Sequence, residues 1–552
     1  MFTFSSICRP AAGLLLGICA AWSAQAQSGS PAWTSAQSVS TTSLPAVGTA
    51  VDATGNTYTA GRFTGTASFG GTAYTSQGGG DAYLAKYTPA GALAWVRILG
   101  GPGSESANDL ALDAAGNAYI TGDFSATVTL GNNLVLNGGT PGIKAFVVRF
   151  SPLGMPEWAL HSADFSSGTS LAIDANDNVY VAGTFGPNLT LGGASITIPG
   201  AYERYAPFLA RLSAATGQLS RLTPAFFYAP NGTTTATYSP PEVAVSPAGA
   251  AYLINAFVES PVVGPATFTS RGLTDALVLC LNEQGTVQWA RQIGGTNNEY
   301  INDGIVDAAG NFYVTGYFAG QAFADALALP NAGGFDGFLV KFSPQGDALW
   351  ARNAGGPAFD SLYGLALDQA GQPYVTGNFS GTAQFGPTTL TAAGATDICV
   401  VAYTAQGQVR WAQQAGGTAI DTGHGIGLNA GGDIYLSGTL RGPATFGSYL
   451  VPVAAPVECF LARLDATLPT ATKGPQPRAL GPYPNPATDL VYLPALAAGT
   501  RVELIDAWGR LVRETLVSAT AQVSVRGLAP GLYTLRAPDA QGRPFAGKVV
   551  VE

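Results

Sequence analysis

Short runs in which apolar and polar residues alternate recur along the chain, and Gly, Pro, Asn and Asp residues separate them. Alternation with a period of two predicts β-strands that turn one face toward a core. The run LALD (110–113) leads through a DAAGN turn into NAYITGDF (117–124). The run GIVD (304–307) leads through the same turn into NFYVTGYF (311–318). The pattern predicts short antiparallel strands joined by tight turns.

A tyrosine follows each of these turns at a nearly constant spacing. The interval is 61 residues throughout, except for one interval of 72 residues between Tyr180 and Tyr252. The seven tyrosines are Tyr58, Tyr119, Tyr180, Tyr252, Tyr313, Tyr374 and Tyr435. A complete copy contains four strand-like runs, and such a sheet cannot bury both faces alone. Seven copies packed radially can, so the repeat predicts an all-β, seven-bladed β-propeller.

The two ends of the repeat array are complementary. The seventh copy lacks the Trp-containing fourth run that most other copies have, whereas SPAWTSAQ (30–37) resembles such a run and precedes the first copy. We predict that this N-terminal strand completes the last blade and closes the ring, because closure removes an open sheet edge.

Three motifs of the repeat carry a resemblance to a known family. They are the DxxGN turn followed by Y-V-T-G, the run FLVKFSP (338–344) and the run WARNAGG (350–356). Together they resemble the bacterial SBBP-type β-propeller repeats over residues 30–465. The resemblance implies a propeller and an extracytoplasmic location, and it implies no particular activity.

A different module follows the Pro-rich stretch at 467–482, which is typical of a stiff linker. Alternating runs in residues 483–552 predict a small, Ig-like β-sandwich. Its motifs resemble the type A C-terminal sorting domain of the Bacteroidetes type IX secretion system, whose machinery would then be a partner. The motif residues are Tyr483, Pro484, Asn485, Pro486, Gly509, Arg510, Gly531, Tyr533 and Lys548.

The first 26 residues predict a signal peptide, with the apolar core AAGLLLGICAAW (11–22) before Ala24-Gln25-Ala26. The predicted organisation is therefore a signal peptide (1–26), a propeller (27–466), a linker (467–482) and a sorting domain (483–552). No later run is long and apolar enough to predict a transmembrane segment. The expected location is the outer cell surface or the medium, reached through the periplasm.

The amino-acid composition argues against several classes of function. Hydrophobic residues make up 47% and charged residues 11%, and the net charge is −9 without a basic cluster, which argues against nucleic-acid binding. The chain has two His residues and none of the common nucleophile or P-loop motifs. Cys280, Cys399 and Cys459 lie in apolar runs and are expected to be buried. We expect no cofactor, no metal site and no catalytic set.

Two groups of residues are candidates for ligand binding on the face with the longer loops. Glu105, Glu299, Asp360 and Asp421 occupy one equivalent position in four copies. They could form a partial ring for a cation or a polyhydroxyl ligand, or each could cap the backbone of its own connection. Phe226, Phe227 and Tyr228 lie in the stretch that makes one interval 11 residues longer. They could stack on a ligand or pack against the ring.

These observations favour a non-enzymatic, secreted or surface protein that binds a glycan or a surface protein, and that is a monomer. One alternative is an extracellular polysaccharide hydrolase or lyase that uses carboxylates of the longer-loop face. The other is a structural or adhesion component of the cell surface.

Overall fold

The computed structural model describes residues 31–41, 46–139, 142–199, 205–228, 240–258, 260–453, 455–465, 478–479, 482–494, 496–506, 510–538 and 544–552. They form two compact units, one before residue 469 and one after it. All regular elements in these ranges are β-strands. The predicted signal peptide lies outside the described residues.

Seven groups of four antiparallel strands, here called units 1 to 7, form the main sheets in the described part of the first compact unit. The sheets that contain units 4, 6 and 7 each include two further strands. In units 1 to 6 the four strands lie side by side in the order in which they occur in the chain. In unit 7 the fourth strand comes from the N-terminal end of the repeat array. Unit 1 consists of the strands Ala46–Val51, Thr57–Phe63, Asp81–Tyr87 and Leu93–Leu99, and unit 2 of Glu105–Leu112, Ala118–Phe124, Lys144–Phe150 and Pro156–His161. Unit 3 consists of Ser166–Ile173, Asn178–Phe185, Ala206–Ser213 and Leu219–Pro224, and unit 4 of Glu242–Val245, Ala251–Phe257, Asp275–Leu281 and Val287–Gly295.

Unit 7 combines the two ends of the repeat array. The strand Trp33–Thr41 pairs antiparallel with Glu458–Leu464, and the Ser38 hydroxyl donates a hydrogen bond of 2.5 Å to the Glu458 carboxylate. The pairing predicted for the N-terminal strand is therefore present. Unit 5 consists of the strands Glu299–Val306, Phe312–Ala319, Phe335–Phe342 and Ala348–Ala354, and unit 6 of Ser361–Leu367, Pro373–Phe379, Asp397–Tyr403 and Val409–Gly417. Unit 7 consists of Asp421–Leu428, Ile434–Leu440, Glu458–Leu464 and Trp33–Thr41.

The first strands of successive units contact one another in cyclic order, and the first strand of unit 7 contacts that of unit 1. Hydrophobic clusters lie between neighbouring units. One of them joins Tyr58 and Leu84 of unit 1 to Ile120 and Phe146 of unit 2. Because each sheet buries its faces against its neighbours, the units depend on one another for a core, as in a β-propeller.

A short hairpin between the second and third strands covers the outer edge of the preceding unit. The hairpin of unit 1 pairs with Trp33–Thr41, and those of units 5 and 7 pair with the fourth strands of units 4 and 6. Pairing of this kind satisfies edge strands. The hairpins are Thr66–Phe69 with Thr72–Thr75, Val128–Gly131 with Leu134–Leu136, Asn188–Leu191 with Ala194–Thr197, Pro261–Val263 with Ala266–Thr267, Ala322–Ala324 with Leu327–Leu329, Thr382–Phe385 with Thr388–Thr391, and Ala444–Phe446 with Tyr449–Val451.

The DxxGN turn is a corner whose carboxylate is used locally. Asp113 accepts hydrogen bonds from the Ala115 and Asn117 amides, the Asn117 side chain and the Tyr119 hydroxyl. Gly116 has φ 81°, which suits glycine. The repeated tyrosine also reaches the next unit, since the Tyr313 hydroxyl donates to the Gly371 carbonyl at 3.1 Å. The motif thus builds a corner, and in four copies its tyrosine also links one unit to the next, through Tyr58, Tyr180, Tyr252 and Tyr313.

The second compact unit contains two sheets around one core. The strands Arg478–Ala479, Pro544–Val551, Gly531–Pro538, Arg501–Ile505 and Leu511–Leu516 form one sheet in that order, and Leu490–Tyr492 pairs with Gln522–Ser524. Val491 and Val523 of the smaller sheet share a core with Leu504, Leu535 and Val549 of the larger one. Arg478–Ala479 belongs to this unit although the sequence predicts a linker there.

Candidate functional site

The first strands of all seven units line a central cavity of about 440 Å³. One position of each first strand faces this cavity at the repeat spacing, and its residues are Gly48, Asp109, Ser170, Glu242, Asp303, Gly364 and Gly425. A β-bulge precedes this position in every unit except unit 4, for example between Ala107 and Asp109. Such a bulge re-aims the side chains that follow it.

Three of these seven positions carry carboxylates, and backbone amides of two units hold two of them. Asp109 accepts the amide hydrogens of Leu110 and of Leu171 in the next unit, both at 2.7 Å. Asp303 does the same with Gly304 at 2.7 Å and with Leu365 of the next unit at 2.8 Å. The carboxylates of Asp109 and Asp303 are therefore fixed in the cavity wall.

The enclosure of these acids disfavours their charged forms. Burial raises the pKa of Asp109 to about 6 and that of Asp303 to about 7. Burial, followed by the negative charges of Asp109 and Asp303, raises the pKa of Glu242 well above its usual range. At neutral pH the cavity therefore presents a mixture of carboxyl groups and carboxylates, which can both donate and accept hydrogen bonds.

Two rings line the cavity one residue before the inward-facing position. They belong to Tyr363 and His424, and their centroids are 5.4 Å apart. Burial lowers the pKa of His424 to about 4, so its imidazole is neutral at physiological pH. His424 also lies 3.3 Å from the Thr439 hydroxyl.

A larger group of rings lies beside Tyr363 on units 5 and 6, and we call it the aromatic cluster. Tyr300 stacks on Tyr317 with centroids 4.9 Å apart, and Phe335 and Phe359 lie 5.5 and 5.9 Å from Tyr317. Burial, followed by the nearby hydroxyls of Tyr363 and Tyr300, raises the pKa of Tyr317 to about 12. Phe359 is 38% exposed. Phe359 is thus an exposed member of the cluster, and Tyr363 of the cavity wall lies near enough to Tyr317 to raise its pKa.

The carboxylates singled out from the sequence lie elsewhere and do not come together. Glu105, Glu299, Asp360 and Asp421 are all buried, each between a different pair of units, and none lines the cavity. Each accepts the amide hydrogen of the second glycine of the preceding Gly-Gly pair, at 2.6–3.0 Å. This contact agrees with the capping interpretation. A role of these acids in ligand binding stays a prediction.

Of the three aromatic residues in the longer interval, one is packed in a core and two lie in a short strand. Phe226 is 2% exposed and belongs to a core cluster with Leu253 and Leu279. Phe227 is half-buried, and Phe227–Tyr228 pairs with the strand Pro261–Val263. This placement favours the packing interpretation for Phe226. A ligand contact by Phe227 or Tyr228 stays a prediction.

Sequence reasoning missed Asp109, Glu242 and Asp303, although a signal for them exists. In the 61-residue register their position is Gly or Ser in the other four units, so an acid there departs from the repeat. The prediction instead relied on the acids that recur. Among the described residues, no three His, Cys, Asp or Glu side chains are arranged as a metal site.

The motif residues of the C-terminal unit tie its chain ends together. The Asn485 side chain accepts the Val550 amide at 2.8 Å and donates to the Lys548 carbonyl at 2.9 Å. The Tyr533 hydroxyl donates to the Ala529 carbonyl at 2.8 Å. Arg510 pairs with Asp506 at 2.8 Å. Gly509 lies outside the described residues. The Asn485 contacts hold the last strand, Pro544–Val551, whereas those of Tyr533 and Arg510 are local.

Two family models match the chain. The secretion system C-terminal sorting domain matches residues 482–552, and the SBBP β-propeller repeat matches residues 94–123. The protein is therefore a β-propeller repeat protein that carries a type IX secretion sorting domain. This domain directs the chain to the secretion machinery and to the cell surface or the medium. Within the described residues, no helix is long and apolar enough to cross a membrane.

Other likenesses are partial. The uncharacterized WD repeat-containing protein L264 of Acanthamoeba polyphaga mimivirus is 32% identical over 112 residues, which are 19% of this chain and 8% of that protein. The Pan2 WD40 domain of Neurospora crassa is 9% identical, with 78% and 96% of the chains covered and a TM-score of 0.40. BamB of Moraxella catarrhalis is 11% identical, with 76% and 85% covered and a TM-score of 0.32.

Proposed function

We propose that this protein is a non-enzymatic binding protein of the cell surface or medium, and that its ligand is a polyhydroxyl compound such as a glycan. The observation that carries this proposal is the set of three carboxyl side chains that face the central cavity. Hydroxyl groups can donate to carboxylates and accept from carboxylic acids, and both forms occur in this cavity near neutral pH. A volume of about 440 Å³ lies within the usual range for small-ligand sites.

The aromatic cluster supplies the second kind of contact that a sugar requires. The apolar face of a pyranose packs on an aromatic ring, and the exposed ring of Phe359 lies 5.9 Å from that of Tyr317. Tyr363 lines the cavity and acts electrostatically on Tyr317 of the cluster, so the cluster lies near the cavity wall. One ligand could thus contact rings and carboxyl groups together.

The test is a glycan array with the secreted chain, followed by calorimetry on any oligosaccharide that binds. We expect Phe359→Ala and Glu242→Gln each to weaken binding at least tenfold. The matched control is Phe165→Ala, because Phe165 holds the equivalent position in unit 3 and is 45% exposed. Equal affinities in all three variants would contradict the site. An array without any bound glycan would contradict the ligand class.

One observation favours the enzymatic alternative. The pKa values of Asp109 and Asp303, raised to about 6 and 7 by burial, suit a general acid or base at neutral pH. Glycoside hydrolysis uses such paired carboxyl groups. Release of reducing ends from a bound glycan, lost in Asp303→Asn, would establish a hydrolase, and binding without release supports the binding protein.

The proposal also covers the number of blades, the fold of the C-terminal domain, the oligomeric state and the export route. We infer that the seven units are the blades of one closed seven-bladed propeller, and that residues 483–552, together with the strand Arg478–Ala479, form an Ig-like sandwich. We further infer a monomeric protein of a Bacteroidetes bacterium with a signal peptide at 1–26. Deleting residues 483–552 in the native host should trap the protein in the periplasm. Continued surface display would contradict that route.

A further inference from the structure

Pairs of acidic side chains recur where one unit meets the next, and we call them the seam pairs. One member lies at or next to the first residue of the third strand of a unit, and the other lies at or just before the first strand of the following unit. The four seam pairs are Asp81 with Glu105, Asp275 with Glu299, Asp336 with Asp360, and Asp397 with Asp421. All eight residues are at most 2% exposed. Two carboxylates in so buried a place need a compensating charge or a proton, because burial disfavours ionised groups. Arg62 acts on Glu105 and Arg271 acts on Glu299 in this sense.

Five oxygen atoms of the seam pairs lack a hydrogen-bond donor among the described residues. They are Glu105 Oε1, Glu299 Oε1, Asp336 Oδ1, Asp397 Oδ1 and Asp421 Oδ1. The other oxygen of each carboxylate accepts a backbone amide, such as that of Gly417 on Asp421 Oδ2 at 2.7 Å. Buried acceptors are rarely left without a partner. No cationic side chain of the described residues acts on the pairs Asp336 with Asp360 and Asp397 with Asp421, so the unpaired oxygens point most directly there to a ligand that supplies positive charge.

A Gly-Gly pair precedes the first strand of units 2, 5, 6 and 7 and lies against the seam pairs. At the seam of units 5 and 6, a Cβ atom on Gly355 would lie closer than 3.0 Å to the unpaired Asp336 Oδ1 and to Asp360 Oδ2. The two carboxylates thus converge on one glycine from opposite units. Gly100, Gly294 and Gly416 lie equally close to one acid each, namely Asp81, Asp275 and Asp397.

The seam of units 2 and 3 offers a natural replacement. Lys144 stands at the start of the third strand, where the seam pairs have Asp, and Ser166 replaces the second acid. Lys144 is 6% exposed, and its ammonium group donates to the carbonyls of Asn137 and Gly138. Where the protein lacks the acids, it thus provides its own cation at this position.

We propose that each seam pair binds one hard divalent cation of the Ca²⁺ type. Ca²⁺ takes carboxylate, backbone carbonyl and water oxygens in a flexible geometry. Two carboxylates from neighbouring units would be two of its ligands, and backbone carbonyls and water would be the others. The cation would then join one unit to the next. This proposal is independent of the proposed glycan site.

The test uses the mature full-length chain after EDTA treatment and dialysis. Equilibrium dialysis with Ca²⁺ alone should give about four bound equivalents per chain, and Ca²⁺ should raise the melting temperature by several degrees, because a ligand that binds only the folded state stabilises it. Fewer than one bound equivalent would overturn the proposal. If no Ca²⁺ binds and the melting temperature rises on acidification, the two acids of each seam pair share a proton in place of a cation.

A pair of substitutions locates the sites. Asp336→Lys with Asp360→Ser copies the seam of units 2 and 3, and it should remove one equivalent of bound Ca²⁺ while circular dichroism stays that of the folded protein. The control is Asp347→Asn at an exposed turn, which should leave four equivalents. Four equivalents in the double variant would overturn the assignment, and the count in the wild-type chain decides the proposal even if this variant does not fold.

Discussion

Two acids lie four residues apart on the same first strand in units 2 and 5, and they have different surroundings. Glu105 and Glu299 are 0–1% exposed and lie between units, whereas Asp109 and Asp303 face the central cavity. The bulge between them changes which side chains point to the axis. Spacing along one strand thus did not reveal which acid faces the cavity.

The two kinds of acid also differ in how often they recur. An acid occupies the seam position of four units, and an acid occupies the cavity position of three units, where Gly or Ser otherwise stands. The seam acids accept the amide of a repeated glycine, so they recur together with the architecture. A residue that departs from a repeat, rather than one that follows it, marks the candidate ligand site.

The largest effect on stability should come from the one seam that a strand closes. Removing residues 30–40 takes away most of the fourth strand of unit 7 and exposes the edge of Glu458–Leu464. We expect the melting temperature to fall by about 10 °C or more in calorimetry, since losses of several kcal/mol shift it by that amount. Removing residues 483–552 is the control and should leave the main transition in place. An unchanged transition in the first variant would contradict closure by this strand.

A smaller effect should follow from crowding a seam pair. Gly355→Ala brings a methyl group closer than 3.0 Å to Asp336 Oδ1, so a buried carboxylate must shift. We expect a loss of about 2–4 kcal/mol in the free energy of unfolding, measured in urea. Gly431→Ala is the control, because the nearest atom is a side-chain oxygen at 3.3 Å. Equal losses of unfolding free energy in the two variants would show that crowding the seam pair has no particular effect on stability.

Without divalent cations, the seam acids should make stability depend on pH. Burial raises the pKa of Glu105 to about 7 and that of Glu299 to about 8. Protons bound in the folded state stabilise it fully below about pH 4.5, and this contribution is lost as the pH rises through 7 and 8. The melting temperature in EDTA should therefore fall from pH 6 to pH 9, and Glu299→Gln should flatten the profile. A rising profile would contradict the assignment.

The smallest effect on stability should come from the cavity. Glu242→Gln removes an acid whose pKa is raised by burial and by Asp109 and Asp303, so it relieves repulsion at high pH. We expect a change within about 1 kcal/mol in the free energy of unfolding at pH 8, together with the loss of ligand affinity described above. A loss above about 3 kcal/mol would assign Glu242 to the architecture and remove the contrast with the seam.

Much of the fold could be predicted because its causes are local. The DxxGN corner depends on five adjacent residues, as the contacts of Asp113 demonstrate, and its regular return reveals the repeat. The pairing of Trp33–Thr41 with Glu458–Leu464 was predicted from a missing fourth run. The sorting motif was recognised from short runs whose residues contact one another, such as Asn485 and the last strand.

The candidate site could not be derived in the same way. Phe226 and the four recurrent acids were expected on a ligand-binding face, and they are buried. Their surroundings consist of neighbouring units, so their burial depends on how sheets pack rather than on spacing within one copy.

The amino-acid sequence by itself determined the repeat, the corners, the closing strand and the secretion tail, because hydrophobic alternation and turn residues act over a few positions. Only the tertiary structure decided which acids face the axis and which lie between units. A bulge that shifts the strand register, and the packing of units about 60 residues apart in sequence, bring Asp109, Glu242 and Asp303 to one cavity.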